Sequence, residues 1–126
     1  MIVLDTDVLI EVFDKRSKMG EGVLKKIVES RESATITAVN LHEILYGLQK
    51  YAKPVIEVMQ LPVLSYAKED ASLAAELELK AEKRGTPVLR TDAMVAAMTM
   101  NHSAKLYTLD LKHFKPLESL GLKLFK

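Results

Sequence analysis

Four carboxylates stand out by what surrounds them. Asp5 closes the apolar run Ile2-Val3-Leu4, Glu43 lies in the apolar-periodic segment from Asn40 to Leu48, Asp92 heads an alanine-rich stretch, and Asp110 follows Ala104-Lys105-Leu106-Tyr107-Thr108. Gathered in one place, such acids repel one another, which raises some of their pKa values and costs stability unless a cation joins them. The chain has no cysteine, and its histidines form no pair at ligand spacing, so the ligands on offer are oxygens. That donor set suits Mg²⁺ or Mn²⁺ and not zinc. Such an ion keeps waters, lowers the pKa of one of them and braces the charge on a phosphoryl group during in-line displacement. The chemistry to expect is hydrolysis of a phosphate ester.

Singly, each acid has a structural reading. Asn40-x-x-Glu43 fits a capping box with Asn40 as the N-cap. Asp92 suits a helix N-terminus with Thr91 as cap, Asp7 suits the cap of the first helix, and Asp110 suits the turn of TLDLKHF. Asp5 resists such a reading, because a carboxylate closing a buried strand needs a partner, and no cation neighbours it in sequence.

The elements that must position these acids alternate. Residues 2–4 read as a strand buried on both faces, followed by a short helix from Val8 to Phe13 and a second from Ser17 to Ser30. Ser33 to Thr37 reads as a strand and the segment after Asn40 as a helix. Pro54 precedes a short helical piece, and Leu61 to Ser65 reads as a third strand. Residues 68–84 are rich in helix formers and end before Gly85, a C-terminal cap. Thr91 opens a further helix through Met100, residues 104–108 form a fourth strand, and residues 122–125 suggest a fifth. Strands alternating with helices predict a three-layer α/β/α sandwich around a parallel sheet of four to five strands, in one domain over residues 1–126. In a parallel sheet all strands end on one edge, where ligands bind. Asp5, the helix-starting Glu43 and Asp92, and Asp110 are all expected there.

Composition narrows the partners. Eighteen basic and seventeen acidic residues give a net charge of +1, so nucleic-acid contact must be local and not a matter of bulk charge. No apolar stretch approaches the roughly 18 residues of a membrane span, and no basic leader precedes the first strand, so the expected address is cytoplasmic. Residues 41–59 carry Leu45, Tyr46, Leu48, Tyr51, Val55 and Met59, apolar surface that a symmetric dimer would cover.

Four blocks, MIVLDTDVLIEVF, NLHEILYGL, TDAMVAA and AKLYTLDLKHF, resemble in this order the signature blocks of PIN-domain ribonucleases, in particular the VapC toxins of toxin-antitoxin pairs. The resemblance spans nearly the whole chain. It implies an endoribonuclease with a Mg²⁺ or Mn²⁺ site, an RNA substrate, a homodimer and a cognate VapB-type antitoxin. Asp5, Glu43 and Asp92 match the three most characteristic acids. The fourth block departs from the family: many members carry Asn here and Asp three residues on, where this chain has Asp110 and His113. Asp110 is taken as the fourth carboxylate, and His113 as an outer contact to the acids or to RNA. Asp7 stands where Asn is common.

Thr6 and Thr108 flank the acids and can donate to carboxylate or phosphate oxygens, with Thr108 the better candidate. Arg90 and Lys112 stand near two of the acids in sequence and could hold RNA phosphates, although an isolated basic residue is usually just a solvated one. A second enzyme class also has a local match, since Asp5-Thr6-Asp7 after an apolar strand resembles the first motif of haloacid-dehalogenase phosphatases. That family's later lysine and acidic pair find no counterpart, and it leaves Glu43 unexplained. A binding module that kept the fold without catalysis is the third reading; the presence of all four acids argues against it.

Overall fold

The computed structural model describes all of residues 1–126. Strands β1 (Ile2–Leu4), β2 (Ala34–Thr37), β3 (Val63–Leu64) and β4 (Lys105–Tyr107) form one parallel sheet in the order β3-β2-β1-β4. Central β1 pairs Ile2 with Ala34 and Lys105, and Leu4 with Tyr107. The expected fifth strand shrinks to a single bridge, Leu106 to Leu124.

Period-two alternation along β1 divides the core into two layers. Ile2 and Leu4 join Ile36, Tyr107, Val8, Leu9, Ile44 and Leu48 on one face. This face is covered by α1 (Thr6–Leu9, continued by a π-helical turn over Ile10–Asp14), α2 (Lys18–Ser30), α3 (Ala38–Lys50) and α4 (Ile56–Met59). Val3 and Leu106 join Leu77, Ala93, Ala97, Phe114 and Leu117 on the other. There the cover is α5 (Lys68–Lys83), α6 (Arg90–Asn101) and α7 (Leu111–Glu118). The result is the three-layer α/β/α sandwich.

Small residues permit the close packing. A Cβ on Gly20 would stand 2.4 Å from the Glu11 carbonyl oxygen, so only glycine lets the first turn of α2, capped by Ser17, lie against Glu11 and Val12 of the π turn. Gly85 follows α5 at φ +77, as a C-terminal cap requires.

Several boundaries differ from the sequence reading. The N-cap of α3 is Thr37, and Asn40 is the third helical residue of its capping box, so Glu43 sits in the second turn and caps nothing. Leu89 precedes α6 without a side-chain cap bond, so Thr91 is not a cap. The unanticipated helix α7 was hidden by its internal Pro116, which reads as a breaker. Of the apolar residues expected to be uncovered, Leu48 is buried, whereas Tyr46 and Tyr51 are 64% and 67% exposed. No helix is long and apolar enough to cross a membrane.

Candidate functional site

The sheet order reverses beside β1: β2 lies on one side and β4 on the other, which opens a crevice at the carboxyl ends of β1 and β4. Asp5 is the first residue past β1 and the N-cap of α1, yet its side chain caps nothing. Instead Oδ2 accepts from the Thr108 hydroxyl at 2.9 Å, and Oδ1 accepts from Asn40 Nδ2 at 3.4 Å. Thr108 follows β4 directly, so the two strand ends are tied together at the crevice.

Glu43 reaches the same edge from α3. Its Oε1 accepts from Thr6 Oγ1 at 2.7 Å, and Thr6 Oγ1 accepts in turn from Asn40 Nδ2 at 3.1 Å. Asp92, in the first turn of α6, meets His113 Nε2 at 2.6 Å, while Asp110 caps α7 by accepting from the His113 backbone N–H at 3.0 Å. His113 thereby joins Asp92 to the helix that Asp110 starts.

Asp7 does not cap α1. It turns to the β4–α7 loop, where Oδ2 accepts from the Leu109 N–H at 3.1 Å and competes, at 3.2 Å, with the nearer Asp5 Oδ2 for the single Thr108 hydroxyl hydrogen. Its Oδ1 is buried without a partner.

No lysine or arginine pairs with any of these acids, and electrostatics records the consequence. Burial pushes Asp5 up to about 7; the charges of Asp7 and Asp92 push the same way, and the Thr108 and backbone hydrogen bonds oppose them only in part. Burial also raises Asp7 against four hydrogen bonds. Asp92 is raised by burial, relieved by His113, and raised again by the charges of Glu43 and Asp110. The five acids thus feel one another through Asp5 and Asp92. A divalent cation fits the donor chemistry: the side-chain oxygens on offer are carboxylates and hydroxyls, one buried carboxylate oxygen, Asp7 Oδ1, is unpartnered, and no lysine or arginine neutralises the acids. The side chains do not close a cage, since no three of them converge tightly enough to ligate one ion. Mg²⁺ does not require one, being held commonly by one or two carboxylates with waters and substrate phosphates.

Asp5, Glu43, Asp92, Asp110 and Thr108 are accordingly brought to one edge, and His113 with them. The exposed Arg90 guanidinium pairs with Glu78 at 3.2 Å on α5. Lys112 makes no contact with the acids. Sequence reasoning assigned Asn40 to the cap and undervalued Thr6; both lie inside the hydrogen-bond network. The signal for Thr6 was its place between two acids, and for Asn40 the Thr37-x-x-Asn40 spacing.

The sequence profile of the PIN domain family matches residues 2–117. No protein of curated function matches the sequence. FitAcB from Neisseria gonorrhoeae superimposes with a TM-score of 0.80 at 19% identity, covering 100% of this chain and 97% of that one. The DNA-bound VapBC of Salmonella typhimurium gives 0.79 at 21% identity, over 98% and 96%. Mycobacterium tuberculosis VapC20, a sarcin-ricin loop cleaving toxin, gives 0.72 at 15% identity, over 100% and 99%. At these identities the likeness is one of fold.

Proposed function

Because this chain belongs to the PIN domain family, we propose that it is a Mg²⁺- or Mn²⁺-dependent endoribonuclease and the toxin of a VapBC-type pair. The observation that carries the proposal is the approach of Asp5, Glu43 and Asp92, from a strand end and two helices, with hydroxyl, amide and imidazole partners but no lysine or arginine among them. Asp5, Glu43, Asp92 and Asp110 are the residues that would hold the ion. When bound, it would supply Lewis-acid stabilisation of the phosphoryl oxygens and a more acidic water. Thr108 fixes the Asp5 carboxylate, Asn40 and Thr6 fix Asp5 and Glu43, and His113 fixes Asp92. Asp7, which a phosphatase mechanism would use as acid or base, has one oxygen committed to the β4–α7 loop and the other buried.

Partners follow the same reading. An open cleft of about 310 Å³ borders Glu43, lined by Ala38, Val39, His42, Thr91 and Met94, and offers room for RNA beside the acids. A groove of about 430 Å³ runs on along α3 past Leu41, Leu45 and Tyr46. With exposed Tyr51, Ile56 and Met59 it supports an apolar contact to a VapB-type antitoxin or a second copy of the chain. VapBC complexes among the fold's neighbours point the same way.

The test is cleavage of RNA by the purified chain. Activity should require Mg²⁺ or Mn²⁺, vanish with EDTA, and leave 5′-phosphate and 3′-hydroxyl ends, as expected for water attacking phosphorus with the 3′-oxygen leaving. Cleavage that resists EDTA and yields 2′,3′-cyclic phosphates would overturn the proposal.

A further inference from the structure

Asn40 is fully buried, and its amide has only one way round. Its Oδ1 accepts from the Thr37 hydroxyl at 2.7 Å and the Thr37 N–H at 3.3 Å, while Thr37 Oγ1 accepts from the Asn40 N–H at 3.1 Å. The Thr37 backbone N–H can only donate, so the amide oxygen must face it, and the Thr37 hydroxyl donates to the same oxygen. Two donors hold the carbonyl end, and a flipped amide would set its NH₂ against the Thr37 N–H. The NH₂ end must face the crevice, where it reaches Thr6 Oγ1 at 3.1 Å and Asp5 Oδ1 at 3.4 Å.

Direction then propagates. The Thr6 hydroxyl donates its single hydrogen to Glu43 Oε1 at 2.7 Å, because a carboxylate only accepts, and the Asn40 amide, donating to a lone pair of the same oxygen at 3.1 Å, holds that oxygen in place. The capping box needs only the Asn40 side-chain oxygen and backbone N–H. Both bonds made by Nδ2 are surplus to it. They are also bonds that neither aspartate nor serine could reproduce, because neither offers two donors and an acceptor on one planar group. Glu43 is an exposed helix residue whose side chain would otherwise sample several rotamers.

We infer that Asn40 is a positioning residue of the acidic site: it donates directly to Asp5 and, by anchoring the Thr6 hydroxyl oxygen that donates to Glu43, holds Glu43 from a distance. This rests on the nuclease reading above for its functional meaning, though not for its wiring. Partners behind metal ligands commonly set affinity or activity by about 10–100-fold. Asn40→Leu, of similar shape and without donors, should lower kcat on that scale.

The deciding experiment follows the Glu43 side-chain carboxyl carbon by NMR in metal-free protein, which needs neither ion nor RNA. Asn40→Leu should shift that resonance in the same direction as Thr6→Val, although Asn40 does not touch Glu43. In the Thr6→Val background, Asn40→Leu should shift it no further. With Mn²⁺ and RNA, Asn40→Leu and Thr6→Val should each lower kcat with KM within about two-fold of wild type, and the double variant should be no worse than the poorer single. Should Asn40→Leu fail to fold, Asn40→Asp keeps the oxygen that Thr37 needs and turns the donor into an acceptor, so the Thr6 hydroxyl should abandon Glu43 with the same carbon shift. A Glu43 resonance unmoved by the folded Asn40 variant, or one that moves equally with Thr6 already removed, overturns the inference. If wild type cleaves no RNA, the nuclease reading falls while the carbon shifts still decide the wiring.

Discussion

The two ends of β1 treat an acid in opposite ways. At its start, Glu32 accepts from the Met1 amino group at 3.1 Å and from Lys105 Nζ at 3.2 Å, and these two cations hold its carboxyl below the usual range. At its finish, Asp5 has hydroxyl and amide donors and other acids for neighbours, and is pushed up to about 7. Both acids lie beside the same strand, and the β4 segment supplies a partner to each: Lys105 at the first residue of the strand, Thr108 just past its end. An acid matched by the fold's own cation is a fastening. One buried among only neutral donors and more acids leaves a charge deficit that an outside cation can match; burial first, and then the charges of Asp7 and Asp92, hold its pKa up.

The sharpest way to break the comparison is to remove the deficit one carboxylate at a time. Asp5→Asn, Glu43→Gln and Asp92→Asn should each lower metal-dependent RNA cleavage on the order of 100-fold or more, the scale of losing a group that acts on the transition state. Metal-free melting temperatures should stay level or rise, because each change relieves like-charge repulsion. Asp110→Asn should be milder in activity and neutral in stability, since asparagine caps α7 as well as aspartate does. A fall in metal-free stability for all three amides, with cleavage retained, would make the acids ordinary structural residues.

A smaller effect tests the charge deficit itself through pH. Asp5, Asp7 and Asp92 are all raised in the folded chain, so the folded state holds their protons more tightly than the unfolded state does. Stability from this source is complete below the ordinary aspartate value of 3.8 and is lost as pH climbs toward the folded value of about 7 for Asp5. The metal-free melting temperature should therefore drop across that window, and Asp5→Asn should flatten much of the drop. Adding Mn²⁺ above the window should raise the melting temperature of wild type but far less that of Asp5→Asn, if the ion is what fills the deficit. An equal rise in both proteins would separate Asp5 from the ion.

Much of this contrast was legible in the residues. An apolar run closed by Asp5 declares a buried strand with an acid at its edge, and strict alternation of strands and helices declares which edge. The register of the helices was less legible. Asn40-x-x-Glu43 and Thr37-x-x-Asn40 both satisfy a capping pattern, and only the burial of Asn40 against Thr37 chooses between them. Choosing the first moved the helix start by three residues and concealed the inward-facing amide. Helix α7 was missed because a proline inside a helix outweighs local periodicity; burial of Phe114 and Leu117 overrides it here. His113 could be flagged by sequence, but its contact with Asp92 needed α7 to exist.

The smallest expected effect lies at the fastened end of β1, and its sign is what makes it useful. Glu32 is lowered in the folded chain, first by its hydrogen bond to the Met1 amino group and then by that to Lys105. A lowered carboxylate stabilises above the ordinary glutamate value of 4.5, and the contribution disappears as pH falls through the folded value. Glu32→Gln should consequently lower the melting temperature slightly at neutral pH, and the gap between variant and wild type should close in acid. That is the reverse of the trend for Asp5→Asn, whose advantage should grow as pH rises. The Glu32 effect should also shrink with added salt, because the pair is open to solvent and screened. RNA cleavage should be unchanged, since the residue stands at the opposite edge of the sheet. Melts of both variants over one pH series therefore test the comparison in a single experiment: two gaps of opposite slope support it, whereas parallel slopes would mean that the two ends of β1 handle charge alike.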